Sequence, residues 1–362
     1  MPYAQALRAP TTHFYDYIGT YVEDLINVID IDVIRGAQIH LGVDPLGGAG
    51  VHYWPRIAQH YKLDITIVND VVDPQFGFMP ADWDGNIRMD PSSCYAMQTL
   101  IGKKDEFDVA FACDTDHDRH GIVVPKIGHL DSNHYLTVMI NELFQSRPNW
   151  PKSAAVGKTV VSSSMIDLVC ARLGRVVYEV PVGFKWFTNG LHAGALGFAG
   201  EQSAGATFLR RDGKVWTTDK DGMAAALLAA EITARRGKNP GVLYAELASE
   251  FGDPVAQLFE AQASPLQRQK LASLSPSDIA MKTLGGQVIT SIIDKAPSNS
   301  AAIGGIKVST QSGWFAARPS GTEDLYKIYA ESFIGARHLE LIFDQAKVEV
   351  DRAITSEPTT RI

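Results

Sequence analysis

Between residues 107 and 124 the chain reads FDVAFACDTDHDRHGIVV, an apolar run followed by aspartates at 114, 116 and 118 and an arginine at 119. Carboxylates that close repel one another, and an unpartnered cluster costs stability. At alternate positions of a strand-to-loop turn, Asp114, Asp116 and Asp118 can converge their oxygens on one small hard cation. Mg²⁺ suits such a set, because it takes oxygen ligands in near-octahedral geometry and keeps places for water or phosphate oxygens. The ion would cancel the repulsion and polarise a phosphoryl oxygen. Arg119 offers a planar fork that can grip a phosphate. A solvated acidic loop is the plainer alternative. The place of the cluster, at the C-terminal end of a strand where α/β ligand sites gather, favours the metal. An EF-hand is excluded, since its loop positions six and twelve require glycine and glutamate, and Arg119 and Pro125 stand there.

Two further glycine-punctuated loops carry chemistry. In VPVGFKWFTNG (180–190) and GFAGEQSAGATFLRR (197–211), glycines at 183, 200 and 205 flank Lys185, Glu201 and Ser203. A carboxylate beside a hydroxyl is suited to the vicinal hydroxyls of a sugar, whereas Trp186 and Phe187 read as packing and Lys185 alone as a surface lysine. In AARPSGTEDLYKIYAES (316–332), Arg318, Ser320, Gly321 and Thr322 occupy a tight turn between two strands. Gly321 would let the backbone approach closely, and its N–H, both hydroxyls and the guanidinium could all donate to one phosphate dianion. An ordinary Pro-Ser-Gly turn explains the turn but not the flanking Arg318 and Thr322. Lys327 reads equally well as a lysine on a strand face.

These loops need a scaffold. Residues 14–29 place Phe14, Tyr17, Ile18, Tyr21, Val22, Leu25, Ile26 and Ile29 on one helical face, behind a loose lead-in MPYAQALRAPTT. Strands are expected at 39–44, 63–68 and 107–113, and helices near 50–61 and 90–102. This is a βαβ pattern with a largely parallel sheet. After SRPNWPKSA (146–154), read as a linker, the pattern restarts. Strands are expected at 157–163, 175–180 and 194–201, with helices at 164–174 and 220–236. The second unit repeats the first in outline, without a clear repeat of residues. Strand-like segments at 287–293, 305–310, 313–318 and 324–331 then precede one long helix, 336–354. The expected fold class is α/β: two successive α/β domains with mixed or parallel sheets, and a small C-terminal α+β domain.

The 362 residues suit two or three domains, and a 45% hydrophobic content supplies ordinary cores. A formal charge of −8 argues against nucleic acid or an anionic membrane as a general partner. Cys94, Cys113 and Cys170 suggest neither a disulfide framework nor a zinc site. No apolar span crosses a bilayer and no secretory signal opens the chain, so a reduced cytoplasmic setting is expected.

Together the three loops resemble the α-D-phosphohexomutase superfamily, and most closely its bacterial α-D-glucose-specific phosphoglucomutases. DTDHDRHGIV is similar to the metal loop of that family, VPVGFKWF and GEQSAG to its sugar loops, and RPSGTEDLYKIYAES to its phosphate loop. LGVDPLGGAG (41–50), VSSSMID (161–167) and TDKDG (218–222) share the likeness, which runs from about residue 14 to the end. The resemblance implies an isomerase of carbohydrate metabolism that interconverts glucose 1-phosphate and glucose 6-phosphate. It implies Mg²⁺ on Asp114, Asp116 and Asp118, with Arg119 assisting at the transferring phosphoryl. Val182 and Gly183 would position the ring, and Glu201 and Ser203 would take sugar hydroxyls. Arg318, Ser320, Gly321 and Thr322 would hold the non-reacting phosphate, and Arg210 stands near a basic family position. Gln202 and Ala204 depart from the commoner GEESGG-like form and read as neutral.

The family's first domain carries a phosphoserine in a Ser-His-Asn-Pro type motif, and no such motif occurs in these residues. DSNHY (131–135) has similar letters but opens a helix. The resemblance therefore implies a chain that starts at the exit helix of that domain. Residues 1–36 would be its remnant and linker, with a metal domain at 37–152, a sugar domain at 153–275 and a phosphate domain at 276–362. In the full enzyme a phosphoserine relay passes through glucose 1,6-bisphosphate; without the serine the chain alone would be nearly inactive. An apolar face left by the absent domain would be open to association. Two other readings stand beside this one: a sugar-phosphate-binding protein or half-enzyme completed by a separate serine-bearing chain, and a haloacid-dehalogenase-type phosphatase with Asp114 as nucleophile. The latter usually carries Thr or Val where Asp118 stands.

Overall fold

Short apolar strands alternating with amphipathic helices must stack into layers. The computed structural model, which describes residues 1–321 and 323–355, forms three main sheets in succession. The first layer begins with α1 (Tyr3–Ala6), α2 (Tyr17–Asp24) and α3 (Ile31–Ala37). Next come β1 (Leu41–Asp44), α4 (Tyr53–Tyr61), β2 (Ile65–Ile67), α5 (Gln98–Gly102), β3 (Val109–Cys113), β4 (His120–Val124) and β5 (Gly128–His129). The strand order is β2-β1-β3-β4-β5, with β2, β1 and β3 parallel, β4 antiparallel to β3 and β5 antiparallel to β4. β1 and β3 are buried along their whole length, as strands covered on both faces must be.

The second layer comprises α6 (Ser132–Ser146), β6 (Ala155–Thr159), α7 (Met165–Arg172), β7 (Val177–Val180), α8 (Thr188–His192), β8 (Leu196–Glu201), β9 (Gly205–Phe208), α9 (Gly222–Arg236) and α10 (Pro240–Phe251). Its order, β7-β6-β8-β9, repeats the first: two parallel crossovers around the leading strand, then an antiparallel return. One apolar core joins the two layers, with Leu25, Val43, Phe111, Leu136, Phe198 and Leu227 all within it.

The third layer comprises β10 (Val255–Gln262), α11 (Pro265–Ala272), the hairpin β11 (Thr283–Leu284) and β12 (Gln287–Val288), then β13 (Ser291–Lys295), β14 (Ala302–Ser309), β15 (Gly313–Pro319), β16 (Leu325–Ser332) and α12 (Ala336–Thr355). Its sheet is antiparallel, β10-β16-β15-β14-β13, around a separate core that includes Ile306, Phe315, Ile328 and Ile342. It docks on the second layer through Trp314 and Tyr329 against Val160 and Val161. Lys307 pairs with Glu179 at 3.0 Å, and Ser164 N–H donates to Glu331 Oε2 at 2.9 Å.

Four expectations change. The helix over 14–29 is α2 alone followed by a 3₁₀ turn at Leu25–Asn27, because Asp16 caps it by accepting Gly19 N–H at 2.8 Å, and Phe14 and Tyr17 stay exposed. Helix 90–102 shrinks to α5, since the Asp90 and Ser93 side chains bond nearby backbone N–H groups at 2.9 and 3.2 Å in place of a helical turn. The stretch 146–154 is pinned: Arg147 is buried against Glu231 at 2.7 Å, and Trp150 Nε1 donates to Arg210 O at 2.7 Å. β10, within the range expected for the middle domain, pairs residue for residue with β16 and so belongs to the last sheet. Among the described residues no helix is long and apolar enough to cross a membrane, and all three cysteines are free.

Candidate active site

The acidic cluster sits in the hairpin connection from β3 to β4. One carboxylate oxygen from each of Asp114, Asp116 and Asp118 lies within 4.8 Å of the others. Burial pushes the Asp114 carboxyl up to about 6, against the pull of the Arg119 N–H, which reaches Oδ1 at 2.9 Å, and of Arg119 Nε, which reaches Oδ2 at 2.7 Å. Lys220 Nζ pairs with Asp118 Oδ2 at 2.7 Å. Burial works against the lysine charge, but Asp118, Glu201 and Asp219 together more than offset it and the pKa stands above the usual value. An all-oxygen set of three carboxylates, one of them buried, is the donor chemistry of a hard divalent ion. Mg²⁺ fits these residues.

Close backbone approach shapes the loop. Ala49 N–H donates to Thr115 O at 2.7 Å, and Gly222 N–H to His117 O at 2.9 Å. A methyl group on Gly48 would lie 2.6 Å from Thr115 Cα, and one on Gly222 would lie 2.8 Å from the His117 carbonyl oxygen. LGVDPLGGAG and TDKDG are thus the two walls of the metal loop. His117 takes a left-handed backbone (φ 61°), is buried, and is lowered to about 4 by burial, so it is neutral at pH 7.

The second hairpin, β8 to β9, occupies the equivalent place in its own sheet, and the two meet. Arg119 and Gly205 form an antiparallel bridge, and His120 N–H donates to Ala204 O at 3.0 Å. Buried Glu201, at the end of β8, accepts Gly183 N–H at 2.8 Å, which joins the two candidate sugar loops. Gly183 sits at φ 124°, a conformation a side chain would strain. Burial pushes the Glu201 carboxyl up, while Gly183 N–H, Lys220 and Arg318 pull it down. Val182 packs against the patch that docks the third sheet, and half-buried Ser203 lines a cavity there. Lys185 is exposed, 5.3 Å over the Trp186 ring, and lines neither of the two clefts described below. Ala204 is not neutral: at φ 69° it takes a backbone that glycine adopts without strain.

In the third loop Arg318 faces its cross-strand partner Lys327, and Ser320 N–H donates to Leu325 O at 2.8 Å. Glu323 N–H donates to Ser320 Oγ at 3.3 Å. Gly321 is exposed with open space around it, so no close packing demands it. Thr322 lies outside the described residues. Arg318 is near enough for its charge to act at Glu201. Arg210 stands apart: its fork grips Asp24 at 2.8 and 2.6 Å and its guanidinium stacks over Trp216. It is a tie between α2 and the chain after β9.

Lys220 was not singled out by sequence, where one lysine among TDKDG gives no signal; its place follows from the hairpin meeting. The same holds for Asp90, which pairs with Arg119 Nη1 at 3.0 Å. Asp221, buried, accepts Tyr21 O–H at 2.9 Å and Trp216 Nε1–H at 2.7 Å while capping α9. Two clefts adjoin the loops. One of about 610 Å³ is lined by Tyr21, Tyr53, Asp116, Asp118 and Lys220, the other of about 550 Å³ by Asp90, Ser203, Lys327 and Tyr329.

This stacking of layers is that of solved phosphohexomutases. A putative phosphomannomutase from Thermus thermophilus matches with a TM-score of 0.71 at 19% identity, over 93% of this chain and 66% of that one. The open form of Paramecium parafusin, a phosphoglucomutase, matches at 0.74 and 20% identity, over 98% and 66%. At these identities the likeness is one of fold. Family models for phosphoglucomutase/phosphomannomutase match alpha/beta/alpha domain II at 19–128, domain III at 131–251 and the C-terminal domain at 278–347. The chain belongs to the phosphoglucomutase/phosphomannomutase family. A phosphoglucomutase of Komagataeibacter xylinus is 57% identical over 345 residues, 95% of this chain and 62% of that relative. Phosphoglucomutase 1 of Drosophila melanogaster is 25% identical over 63% of this chain and 40% of its own length. The chain thus spans less than two thirds of the length of either of these relatives.

Proposed function

We propose that this chain provides the metal, sugar and distal-phosphate sites of a phosphoglucomutase acting on glucose 1-phosphate and glucose 6-phosphate. The observation that carries the proposal is the Arg119–Gly205 bridge, which sets a carboxylate metal loop beside a carboxylate–hydroxyl loop. Identity of 57% to a phosphoglucomutase supports the choice of substrate pair. Asp114, Asp116 and Asp118 would hold Mg²⁺, whose chemistry is to offset charge on a phosphoryl oxygen. Arg119 adds a donor fork at the same place, the positioning-plus-electrostatics logic of phosphoryl transfer. Lys220, between Asp118 and the charge of Glu201, is placed to hold a proton near the reacting hydroxyl. Glu201 and Ser203 bind ring hydroxyls, Val182 and Gly183 fix the ring's edge, and Arg318, Ser320, Gly321 and Thr322 bind the phosphate that stays.

Turnover needs a phosphoserine that alternately gives its phosphoryl to the substrate and takes one back from glucose 1,6-bisphosphate. These 362 residues hold no Ser-His-Asn-Pro type motif; on this reading a separate serine-bearing domain would supply it, and the chain alone should turn over little. Exposed Phe14, Tyr15 and Tyr17, the last two lining the cleft that also holds Asp116 and Asp118, form the face we assign to such a domain. The division into a metal domain, a sugar domain and a phosphate domain, and a cytoplasmic setting, belong to the same proposal. A coupled assay of glucose 1-phosphate conversion, with Mg²⁺ and glucose 1,6-bisphosphate, tests it. The chain alone should show little turnover, and a supplied serine-bearing domain should restore it. Release of inorganic phosphate that is lost in Asp114→Asn would instead establish the aspartyl phosphatase.

A further inference from the structure

Asp90 lies in none of the three loops. It comes from the long segment between β2 and α5, and its Oδ2 pairs with Arg119 Nη1 at 3.0 Å while Arg119 Nε bonds Asp114. That segment is fixed in place. Asp90 Oδ1 accepts the Ser92 N–H at 2.9 Å and the Ser92 hydroxyl at 2.7 Å, which leaves Oδ2 to the guanidinium. Ser93 N–H donates to Asp90 O at 2.9 Å. The next residue, Pro91, offers its carbonyl to His129 Nε2 on β5 at 2.9 Å. It also rests on Gly121 of β4, where a methyl would stand 3.0 Å from Pro91 Cβ. Two strands of the metal-loop sheet therefore locate Pro91, and through it Asp90.

We infer that Asp90 is a positioning residue that keeps the Arg119 guanidinium aimed at bound phosphate while the metal loop holds its cation. This rests on the metal and phosphate roles proposed above. A divalent ion among Asp114, Asp116 and Asp118 draws on the carboxylate charge that otherwise restrains Arg119 and itself repels the guanidinium. Asp90 is an anion outside the ligand set, so its hold persists. A fork still restrained at Nη1 loses less freedom on gripping a phosphate than a loose one.

The test is calorimetric titration of the whole chain with glucose 1,6-bisphosphate in Mg²⁺, beside titration with Mg²⁺ alone. Asp90→Asn keeps an acceptor for Ser92 and removes the charge. It should weaken bisphosphate binding by roughly tenfold, the scale of one charge-assisted hydrogen bond. Mg²⁺ affinity and the melting temperature should not change. In an Arg119→Ala background the same substitution should have almost no further effect, because Asp90 acts through Arg119. An undiminished effect in that background would mean a merely structural role and overturn the inference. So would normal bisphosphate binding by Asp90→Asn when Arg119→Ala binds weakly. A wild-type chain that binds Mg²⁺ but no bisphosphate would overturn both the phosphate site and the role of Asp90.

Discussion

Gly222→Ala is the sharpest probe of how the metal loop is held. Gly222 opens α9 with its N–H on the His117 carbonyl at 2.9 Å. An added methyl would stand 2.8 Å from that oxygen and nearer still to the carbonyl oxygen of Arg119, whereas ordinary contact begins at 3.4 Å. Both neighbours are backbone and cannot rotate away, so the loop or the helix must give by about half an ångström or more. Overpacking of this kind costs about 1–3 kcal/mol. His117 lies between Asp116 and Asp118, so their oxygens move with it. Mg²⁺ tolerates little departure from octahedral geometry, and its affinity should fall by about tenfold or more. Gly36→Ala is the control. Gly36 lies within α3 with nothing near its Cβ position, so the same change there should stabilise by about 0.5–1 kcal/mol. Thermal unfolding and Mg²⁺ titration of both variants decide the matter. A Gly222→Ala protein with wild-type melting temperature and Mg²⁺ affinity would refute the idea that close backbone packing sets the loop.

Other perturbations follow from buried charge. Arg147→Met leaves Glu231, a carboxylate that burial pushes up and Arg147 holds low, with only Arg235 and the Asp30 N–H as partners, and should cost at most about 3–5 kcal/mol in urea unfolding; adding Glu231→Leu should restore part of it. Asp44, raised to about 6 mainly by burial, binds its proton more tightly folded than unfolded, so its contribution to stability is lost as pH rises from about 4 to 6. Asp44→Asn should remove a stability loss of about 3 kcal/mol over that window, seen as a flatter unfolding free energy against pH. Arg210→Ala should loosen α2, lowering the melting temperature and raising amide exchange there, while sugar-phosphate affinity stays unchanged; reduced affinity with normal stability would return Arg210 to the sugar site.

Much of this architecture was legible because apolar runs in buried strands are unambiguous. FDVAFAC yields β3, and α9 announces itself between a capping Asp221 and a terminating Gly237. The acidic triad was legible because alternate carboxylates have few other uses. What stayed hidden depends on tertiary contact. β10 is half exposed and carries Gln257, Glu260 and Gln262, so its alternation is weak and its strand state comes from pairing with β16. Asp90 in its acidic loop looks solvated, yet it reaches Arg119. Lys220 has no local peculiarity, and Arg210 looks like a ligand until Asp24, 186 residues earlier, takes both its terminal nitrogens.

The repeated topology explains why two of the loops can be rigid together and the third need not be. The metal hairpin and the sugar hairpin are equivalent connections in two sheets of one strand order. They are tied at their tips by Arg119–Gly205 and His120–Ala204, and their sheets share one core. To part them would break a backbone bridge and expose buried Leu, Val and Phe side chains. The phosphate loop belongs to a sheet with its own core. That sheet docks through a small apolar patch and a few polar contacts, Lys307–Glu179 and Ser164–Glu331 among them. Any change in the reach of Arg318 toward Glu201 must therefore occur at this docking surface, where α10 ends and Gly252, at φ 99°, turns the chain into β10. On the proposed roles, a site built this way would fix metal against sugar and leave the grip on the distal phosphate as its adjustable distance.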